Sequence, residues 1–467
     1  MGVDGLYRFI NKRLPDTFNS VSINEIRNKS CIIDGMQHIY SQLIYLITRE
    51  KEIFTENGKN ISHIHGLINS LTYYLKNGIV PIFIFDGKSP DIKKKKIEER
   101  KKNLQYNLLR LKELENKKQN ISNLINNLEL SELKDMEEDI ENIRDIEEDN
   151  CSLIFGTPPV DSFNLEDEIS KINNIDEEYR KIYKKSIILK DYYISDWIEI
   201  LELLGLPVIK AVGEADPLCS YILKNNSEIF GILSDDSDML VFGAPILMRK
   251  SVNQHFTIIK LEKILEGISE LLTIEYDKKI SFILDNLIDF AILLGTDYGI
   301  IKLNKNCYDS YDILKYYIEN DKDYKKIILY EQYEEFLNIK KYYSDLKYGN
   351  EYEKYLEKPQ WKKPKLMELK DRLLQLNVDE DFIDKNNEFL NKCYNIIIKE
   401  NLYVKDKSFR INRFKKNEEK NEENNDCVYN FGRNRKVISN NNDNDSCEES
   451  RKSFDNLYVD DIFNFEN

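Results

Sequence analysis

The sequence lacks the long apolar runs and paired cysteines that would identify several classes of protein. No run reaches the ~18 apolar residues that a membrane-spanning helix needs. The first residues lack the basic-then-apolar order of a secretory signal, and Leu6 stands where a myristoylation signal requires Ser or Thr. The seven cysteines include no C-x-x-C pair, which argues against a disulfide framework and a thiolate zinc site. We therefore expect a soluble, intracellular protein and, since no oligomerisation signal is present, a monomer.

The sequence also lacks an excess of basic residues. Acidic residues number 83 and basic residues 68, so the net charge is −15. A nucleic-acid partner is not excluded, because the distribution of charge matters more than its sum. Hydrophobic residues make up 41% of the 467 positions, which is enough for a packed core and rules out wholesale disorder.

Short apolar runs alternate with helical patterns through much of the chain. Lys29–Asp34 and Ile79–Asp86 are continuous apolar runs of strand length, typical of strands buried on both faces of a parallel sheet. Ile229–Asp238 is a third such run, and helical periodicity covers Ser62–Lys76 and Tyr192–Leu204. The pattern predicts an α/β fold with a mostly parallel central sheet flanked by helices.

Acidic residues end each of these predicted strands. Asp34 and Asp86 end the first two, and Asp236 and Asp238 end the third. Parallel strands share one carboxyl edge, where open α/β sheets bind ligands, so these carboxylates are expected to converge. Three more acids fit the same edge, because they follow a further short strand or an apolar helix: Glu214, Asp216 and Asp297.

Such a cluster predicts bound cations. Like charges within ~4–6 Å disfavour each other's ionisation, and divalent cations relieve that repulsion. Oxygen ligands without His or Cys favour Mg²⁺ or Mn²⁺ over Zn²⁺, so His38, His63 and His65 are expected to be structural. Two such ions can clamp the attacking and leaving oxygens of a phosphodiester displacement. Any one aspartate could instead be a helix cap or turn residue, but the recurrence at three strand ends favours a metal site.

These segments resemble the flap endonuclease/XPG family of structure-specific 5′ nucleases, and flap endonuclease most of all. In family order, the similar segments are MGVDGLYRFI, VPIFIFDGKSP, VGEADPLCSYI, GILSDDSDML and IDFAILLGTDYG. They cover roughly residues 1–100 and 191–298. The resemblance implies a PIN-like 5′-nuclease fold and the hydrolysis of DNA at 5′ flaps or junctions in replication or repair, in the nucleus or another DNA-replicating compartment. It also implies two Mg²⁺ or Mn²⁺ ions per site.

The resemblance further implies roles for individual residues. Lys93 and Arg100 match the family's basic catalytic pair, and their spacing of seven predicts one helix face. Tyr40 matches a tyrosine that stacks on the base next to the cut, and Gly2 lies near the site in the family. The implied metal ligands are Asp34, Asp86, Glu214, Asp216, Asp236, Asp238 and Asp297, of which Asp34, Asp86 and Asp236 also count as catalytic. Lys184 and Lys185 resemble a phosphate-binding stretch of the family's helical gateway.

Composition and resemblance together predict five regions. Residues 1–100 and 191–300 would form the nuclease core, residues 101–190 a charged helical arch, residues 301–404 a helical C-terminal region, and residues 405–467 a flexible tail. The acidic stretch Asp135–Asn150 would repel a phosphate chain, so it is expected to face away from DNA or to be disordered.

Two segments depart from the family pattern. After Asp297 the family has a glycine hairpin that contacts duplex DNA and often binds K⁺. Here only Gly299 remains, which argues against duplex anchoring and K⁺ binding, although Asn304, Lys305 and Asn306 could make a substitute turn with positive φ. The tail carries a degenerate version of the family's sliding-clamp motif, at Asn456, Val459, Ile462 and Phe463, which could equally be tail residues with no partner.

Two other functions stay open at the level of sequence. A 5′→3′ exonuclease of the same superfamily would use the same carboxylates on single-stranded DNA or RNA, and the altered hairpin favours a substrate other than a simple flap. A non-catalytic nucleic-acid scaffold is the alternative from another class, but it would have no reason to keep a costly cluster of acids.

Overall fold

The computed structural model describes residues 2–144, 165–250, 255–272, 280–344, 352–356 and 361–397. The chain divides into two compact units. The first comprises Met1–Leu46, Lys51–Lys93 and the part from Leu189 onward, and the second comprises Ile47–Glu50 and Lys94–Ile188. The predicted clamp motif and tail lie outside the described residues. Within those residues, no helix is both long enough and apolar enough to cross a membrane.

A seven-stranded mixed sheet forms the centre of the first unit. The strands are β1 Phe18–Ser22, β2 Ser30–Asp34, β3 Val80–Phe85, β4 Val208–Lys210, β5 Ile229–Leu233, β6 Ile246–Lys250 and β7 His255–Lys260. Across the sheet they lie in the order β1-β7-β6-β5-β2-β3-β4. The five strands from β6 across to β4 pair in parallel, and β7 pairs antiparallel with β6 and β1. This confirms the predicted α/β fold with a mostly parallel sheet.

The central strands are apolar throughout because both faces of the sheet are covered. Every residue of β2 and β3 is buried. Side chains alternate between the faces, so Ile82 and Ile84 join a cluster with helix residues such as Leu218 and Phe290. Phe83 faces the other way, where its ring lies 6.1 Å from that of Trp197.

Helices flank the sheet and continue after it. Those of the first unit are α1 Leu6–Arg13, α2 Gly35–Thr48, α3 Ser62–Lys76, α6 Asp191–Leu203, α7 Ala215–Asn225, α8 Asp238–Val241, α9 Leu261–Leu271, α10 Ile280–Leu294, α11 Ser310–Glu319, α12 Tyr333–Ser344 and α13 Leu366–Gln375. A further helix, α14, covers residues 380–397. The C-terminal region joins the core through polar contacts, for example from Arg372 to Asp196 at 3.1 Å and from the Trp361 indole to the Leu204 carbonyl at 2.8 Å.

The second unit is built on two helices, α4 Lys94–Arg144 and α5 Leu165–Lys185. Leu111 and Leu114 are buried within it. Arg110 donates to Glu178 at 2.9 and 3.0 Å, and Lys118 contacts both oxygens of Asp176 at 2.7 and 2.8 Å. The acidic stretch Asp135–Asn150 enters α4 as far as Arg144, and its side chains lie outside the described residues.

Candidate metal centre

Three neighbouring parallel strands carry their acids to one edge of the sheet. Asp34 is the last residue of β2, Asp86 follows β3 directly, and Asp236 follows β5 after a two-residue turn. Strand β2 lies between β5 and β3, so these three carboxylates come together although about two hundred residues separate the first from the last. The Asp34 carboxylate accepts the Gln37 backbone N–H at 3.1 Å, which ties it to the start of α2.

The start of α7 brings two further acids to the same edge. Glu214 is the N-cap residue of α7, and Asp216 lies in its first turn. The Asp86 carboxylate accepts the backbone N–H of Ala215 at 2.6 Å, which fastens the end of β3 to this helix. Asp297 is buried and follows α10. The carboxylate cluster is the set of Asp34, Asp86, Glu214, Asp216, Asp236, Asp238 and Asp297.

Part of the carboxylate cluster has the dimensions of a metal site. Asp216, Asp236 and Asp238 each offer an oxygen, and these oxygens lie within 4.8 Å of one another. The Asp238 side chain is 1% exposed, and its Oδ2 atom has no hydrogen-bond partner among the described residues. A buried carboxylate oxygen without a partner is costly, and a bound cation would satisfy it. The all-oxygen donor set therefore fits a hard divalent cation.

Burial and mutual repulsion act on the ionisation of the cluster. Burial, with the nearby charges of Asp86 and Asp236, raises the pKa of Asp34 to about 7. Burial and the charge of Asp236 raise the pKa values of Asp216 and Asp238 well above the usual range. The folded protein therefore holds these acids deprotonated at neutral pH only at an energetic cost, which divalent cations would offset.

This raised pKa predicts how stability depends on pH without metal. Folded Asp34 binds its proton more tightly than in the unfolded chain, so its ionisation destabilises the fold as pH rises from about 4 to about 7. In EDTA at pH 8, the urea concentration at the midpoint of unfolding is therefore expected to be higher for Asp34→Asn than for the wild type. At pH 5 the difference should be smaller. Mg²⁺ should cancel the advantage. Asp371→Asn, at an exposed position, is the control. An Asp34→Asn protein no more stable than the wild type at pH 8 would contradict the raised pKa of Asp34.

Lys93 is a cation that lies against the cluster. Its Nζ atom forms an ion pair with Glu214 Oε1 and lies 4.7 Å from the centre of the Tyr298 ring. Burial disfavours its charged form, but the carboxylates of Glu214 and Asp216 raise the pKa of Lys93. Lys93 is thus a fixed positive charge beside the carboxylates.

The structure corrects the expectation that Lys93 and Arg100 share one helix. Lys93 closes a short 3₁₀ turn, Asp91–Lys93, and α4 begins at the next residue. Arg100 lies within α4, and Lys184 and Lys185 form the last turn of α5. These three residues belong to the second unit, whereas Lys93 belongs to the first.

Gly2 lies directly against the carboxylate cluster. Its φ of +83° is in the left-handed region, and a Cβ at this position would overlap the Asp236 carboxylate. Glycine is thus required here by both conformation and space. Tyr40 lies on α2, six residues after Asp34, with its side chain half-buried.

Asp235 and the histidines take no part in the metal-sized group. Asp235 is exposed, and its carboxylate accepts Arg249 Nε at 2.7 Å and Gln37 Nε2 at 3.1 Å. His63 is buried with its Nε2 atom 3.1 Å from Asp196 Oδ2. His38 is buried beside the rings of Phe83 and Trp197. Neither of these two histidines contributes a ligand to the metal-sized group.

The segment after Asp297 does not form the substitute turn expected from its asparagines. The backbone φ angle is not positive at Asn304, Lys305 or Asn306. Asn304 instead holds a loop in place, because its backbone N–H donates to the Ile327 carbonyl at 2.8 Å and its side chain donates to the Ile328 carbonyl at 3.0 Å. The expectation failed because hydrogen bonds across the loop determine its backbone conformation, and asparagine's tolerance of positive φ is not used.

Three tyrosine hydroxyls donate to the cluster, and sequence reasoning did not find them. Tyr298 and Tyr342 donate to Glu214 Oε2 at 2.9 and 2.8 Å, and Tyr343 donates to Asp238 Oδ1 at 3.2 Å. Tyr298 directly follows Asp297, so its position in the LLGTDY segment was a usable signal. Tyr342 and Tyr343 lie on α12, where nothing in the sequence links them to the strand ends.

Two family models match the chain over the segments that carry this cluster. The XPG N-terminal domain matches residues 1–107, and the XPG I-region matches residues 205–297. Every carboxylate of the cluster lies within one of these two regions. Helix α12 lies outside both.

Curated relatives and solved structures of the same kind are similar to the chain. Flap endonuclease 1 of Theileria parva is 25% identical over 362 residues, which are 76% of this chain and 58% of the relative. Flap endonuclease 1 of Methanococcus aeolicus is 28% identical over 60% of this chain and 66% of the relative. The chain thus spans less than two thirds of the length of these relatives. The solved flap endonuclease-1 from Methanococcus jannaschii gives a TM-score of 0.48 at 21% identity, covering 80% of this chain and 96% of that one.

Proposed function

We propose, since this chain belongs to the XPG/flap endonuclease family, that it is a metal-dependent 5′ nuclease that hydrolyses DNA at 5′ flaps and junctions. The observation that carries the proposal is the convergence of strand-end carboxylates from β2, β3 and β5 with a largely buried lysine beside them. The similarity to curated flap endonucleases supports the substrate class. On the same similarity we also propose that it acts in replication or repair, in a compartment where DNA is replicated.

The carboxylate cluster would hold divalent cations, which we take to be two Mg²⁺ or Mn²⁺ ions. Asp216, Asp236 and Asp238 are the best-supported ligands, because their oxygens already lie within 4.8 Å of one another. Asp34, Asp86, Glu214 and Asp297 complete the proposed set. Bound there, the ions would supply Lewis-acid stabilisation to the attacking and leaving oxygens of the phosphodiester.

Residues of the chain itself would bind and orient the scissile phosphate. Lys93 would contact the phosphate and stabilise the negative charge that develops on it. Hydrolysis of the phosphodiester by water would leave a 5′-phosphate and a 3′-hydroxyl. The resemblance to the family adds Arg100 as the second residue of its basic catalytic pair. Gly2 would keep the space beside Asp236 open, and Tyr40 would stack on the base next to the cut. Lys184 and Lys185 would contact phosphates of the single strand.

A 5′→3′ exonuclease acting on single-stranded DNA or RNA is the second candidate. The loop pinned by Asn304 favours it, because it differs from the family's duplex-contacting hairpin. For the same reason we propose no K⁺ site there. A non-catalytic scaffold is the weakest candidate, since buried like charges are costly unless they bind metal. A sliding clamp is a further proposed partner, through the tail, and we propose that the protein acts as a monomer.

The test compares substrates of equal length under one metal condition. A 5′-labelled double-flap DNA, a single-stranded DNA and a single-stranded RNA are incubated with the full-length protein and Mg²⁺. We expect one cut near the base of the flap, abolished by EDTA. Stepwise shortening of either single strand with the flap left intact would move the assignment to an exonuclease. Tight DNA binding without cleavage of any substrate would favour the scaffold.

A further inference from the structure

Helix α12 directs two neighbouring tyrosines at the carboxylate cluster. The Tyr342 hydroxyl donates to Glu214 Oε2 at 2.8 Å, and the Tyr343 hydroxyl donates to Asp238 Oδ1 at 3.2 Å. Both carboxylates are almost fully buried, with 6% and 1% of their surface exposed. Two segments that lie more than a hundred residues apart in sequence are thereby joined at the centre of the site.

The hydroxyls fix the orientation of both carboxylates and, at Asp238, determine which oxygen remains for a cation. At Asp238, Tyr343 takes Oδ1, so the buried Oδ2 atom without a partner is the oxygen offered to metal. At Glu214, Tyr342 and Tyr298 both donate to Oε2, while Oε1 faces Lys93. Each carboxylate is thus fixed in rotation by a hydroxyl donor on one oxygen. The other oxygen has no partner among the described residues at Asp238 and pairs with Lys93 at Glu214.

The tyrosines are themselves held by ring packing and by partly buried ion pairs between Lys340 of the same helix and α10. The ring of Tyr343 lies 4.8 Å from that of Phe242, and the ring of Tyr342 lies 4.6 Å from that of Tyr298. Lys340, two residues before Tyr342, contacts Asp285 at 2.7 Å and Asp289 at 2.6 Å on α10. Helix α12 therefore has a fixed register against the helix that leads to Asp297.

We propose that Tyr342 and Tyr343 are positioning residues that orient Glu214 and Asp238 for divalent-cation binding. Partners that orient metal ligands commonly change metal affinity by 10–100-fold when they are removed. The inference rests on the proposed function in one respect, namely that the carboxylate cluster binds divalent cations. It assigns to the C-terminal helical region a role inside the metal site, beyond both regions that match the family models.

Removal of single hydroxyls tests the proposal directly. Tyr342→Phe and Tyr343→Phe remove the hydroxyls and keep the aromatic rings. The ring at position 342 therefore still lines the cavity of about 250 Å³ beside Glu214. Binding of Mn²⁺ alone to the full-length protein is measured by titration calorimetry. We expect the Kd to rise about tenfold or more in each variant. The matched control is Tyr333→Phe on the same helix, whose hydroxyl donates to the Lys325 carbonyl, and its Kd should stay within about twofold of the wild type.

A second readout separates positioning from a general structural defect. The cleavage rate of Tyr342→Phe and Tyr343→Phe should fall at low Mg²⁺ and recover at high Mg²⁺, because weaker binding is overcome by mass action. A loss that high Mg²⁺ does not restore would overturn the proposal. Tyr342 is only half-buried, so Tyr342→Phe carries the test alone if Tyr343→Phe fails to fold. An unchanged Mn²⁺ affinity in Tyr342→Phe would then overturn the proposal for both tyrosines.

The two readouts keep this inference distinct from the proposed function. Calorimetry uses no nucleic acid, so weaker Mn²⁺ binding in the variants would support the positioning role even if the wild type cut no flap. Wild-type flap cleavage with unchanged Mn²⁺ affinity in Tyr342→Phe and Tyr343→Phe would instead overturn the positioning role and leave the proposed function standing.

Discussion

Asp236→Asn is expected to reduce flap cleavage in saturating Mg²⁺ by about 10³-fold or more. Asp236 belongs to the group whose oxygens lie within 4.8 Å of one another, and its Oδ1 accepts the Asp238 backbone N–H at 3.0 Å. Asparagine keeps an oxygen for that hydrogen bond but removes the charge that would bind a cation. Metal stabilisation of the reacting oxygens is worth several kcal/mol, and each 1.36 kcal/mol is a factor of ten in rate. Single-turnover cleavage of a labelled flap measures the loss.

Asp235→Asn is the matched control, one residue away on the same turn. Its carboxylate is exposed and contacts Arg249 and Gln37 instead of the metal-sized group. We expect its cleavage rate to stay within about threefold of the wild type, as for most surface substitutions. Equal losses in the two variants would mean that the turn as a whole, and not the buried carboxylate, matters. Full activity in Asp236→Asn would contradict the metal site.

Lys93→Ala is expected to lower the single-turnover rate about 10²–10³-fold while Mn²⁺ binding is retained. Loss of one group that stabilises the charge of a transition state commonly costs this much. Lys93 is largely buried against Glu214 and Tyr298, so its charge is held at one position beside the cluster. Because its ion pair occupies Glu214 Oε1, its removal should not weaken the affinity for Mn²⁺. Rates at saturating flap DNA and calorimetric Mn²⁺ titration measure the two quantities.

Lys96→Ala is the control for Lys93, three residues later in the same lysine run. Its amine contacts Glu99 at 3.2 Å within the second unit. We expect it to affect the apparent affinity for DNA and its salt dependence more than the rate at saturation, as a phosphate contact does. A rate in Lys93→Ala equal to that of Lys96→Ala would show that Lys93 only adds to the general positive charge of this stretch.

The sheet could be predicted where its strands are apolar, and not at the mostly polar edge strand β1. Strands β2, β3 and β5 are apolar because helices cover both sides, so their sequences alone identify them. The edge strand β1 is mostly polar, since only β7 pairs with it, and composition does not distinguish its sequence FNSVS from a loop. Helix α3 was predicted at its observed bounds, Ser62–Lys76.

The position of the carboxylates could be predicted because the topology of a parallel sheet fixes its carboxyl edge. Asp34, Asp86 and Asp236 follow strands that pair with one another, so their meeting follows from strand order. The hydroxyls of Tyr342 and Tyr343 could not be predicted, because they reach the site through the packing of α12 on α10. Tertiary packing between distant helices leaves no local pattern in either segment. The metal-ligand roles themselves stay predictions.

The most direct measurement is a crystal structure of the full-length protein grown with Mn²⁺ and recorded at the manganese absorption edge. An anomalous difference map locates each ion independently of any assumption about ligands. We predict peaks among Asp216, Asp236 and Asp238, with Asp238 Oδ2 as a ligand and Tyr343 still on Oδ1. A map with no peak within this group, from protein that cleaves flap DNA in Mn²⁺, would contradict the central claim that the carboxylate edge of the sheet is the metal centre.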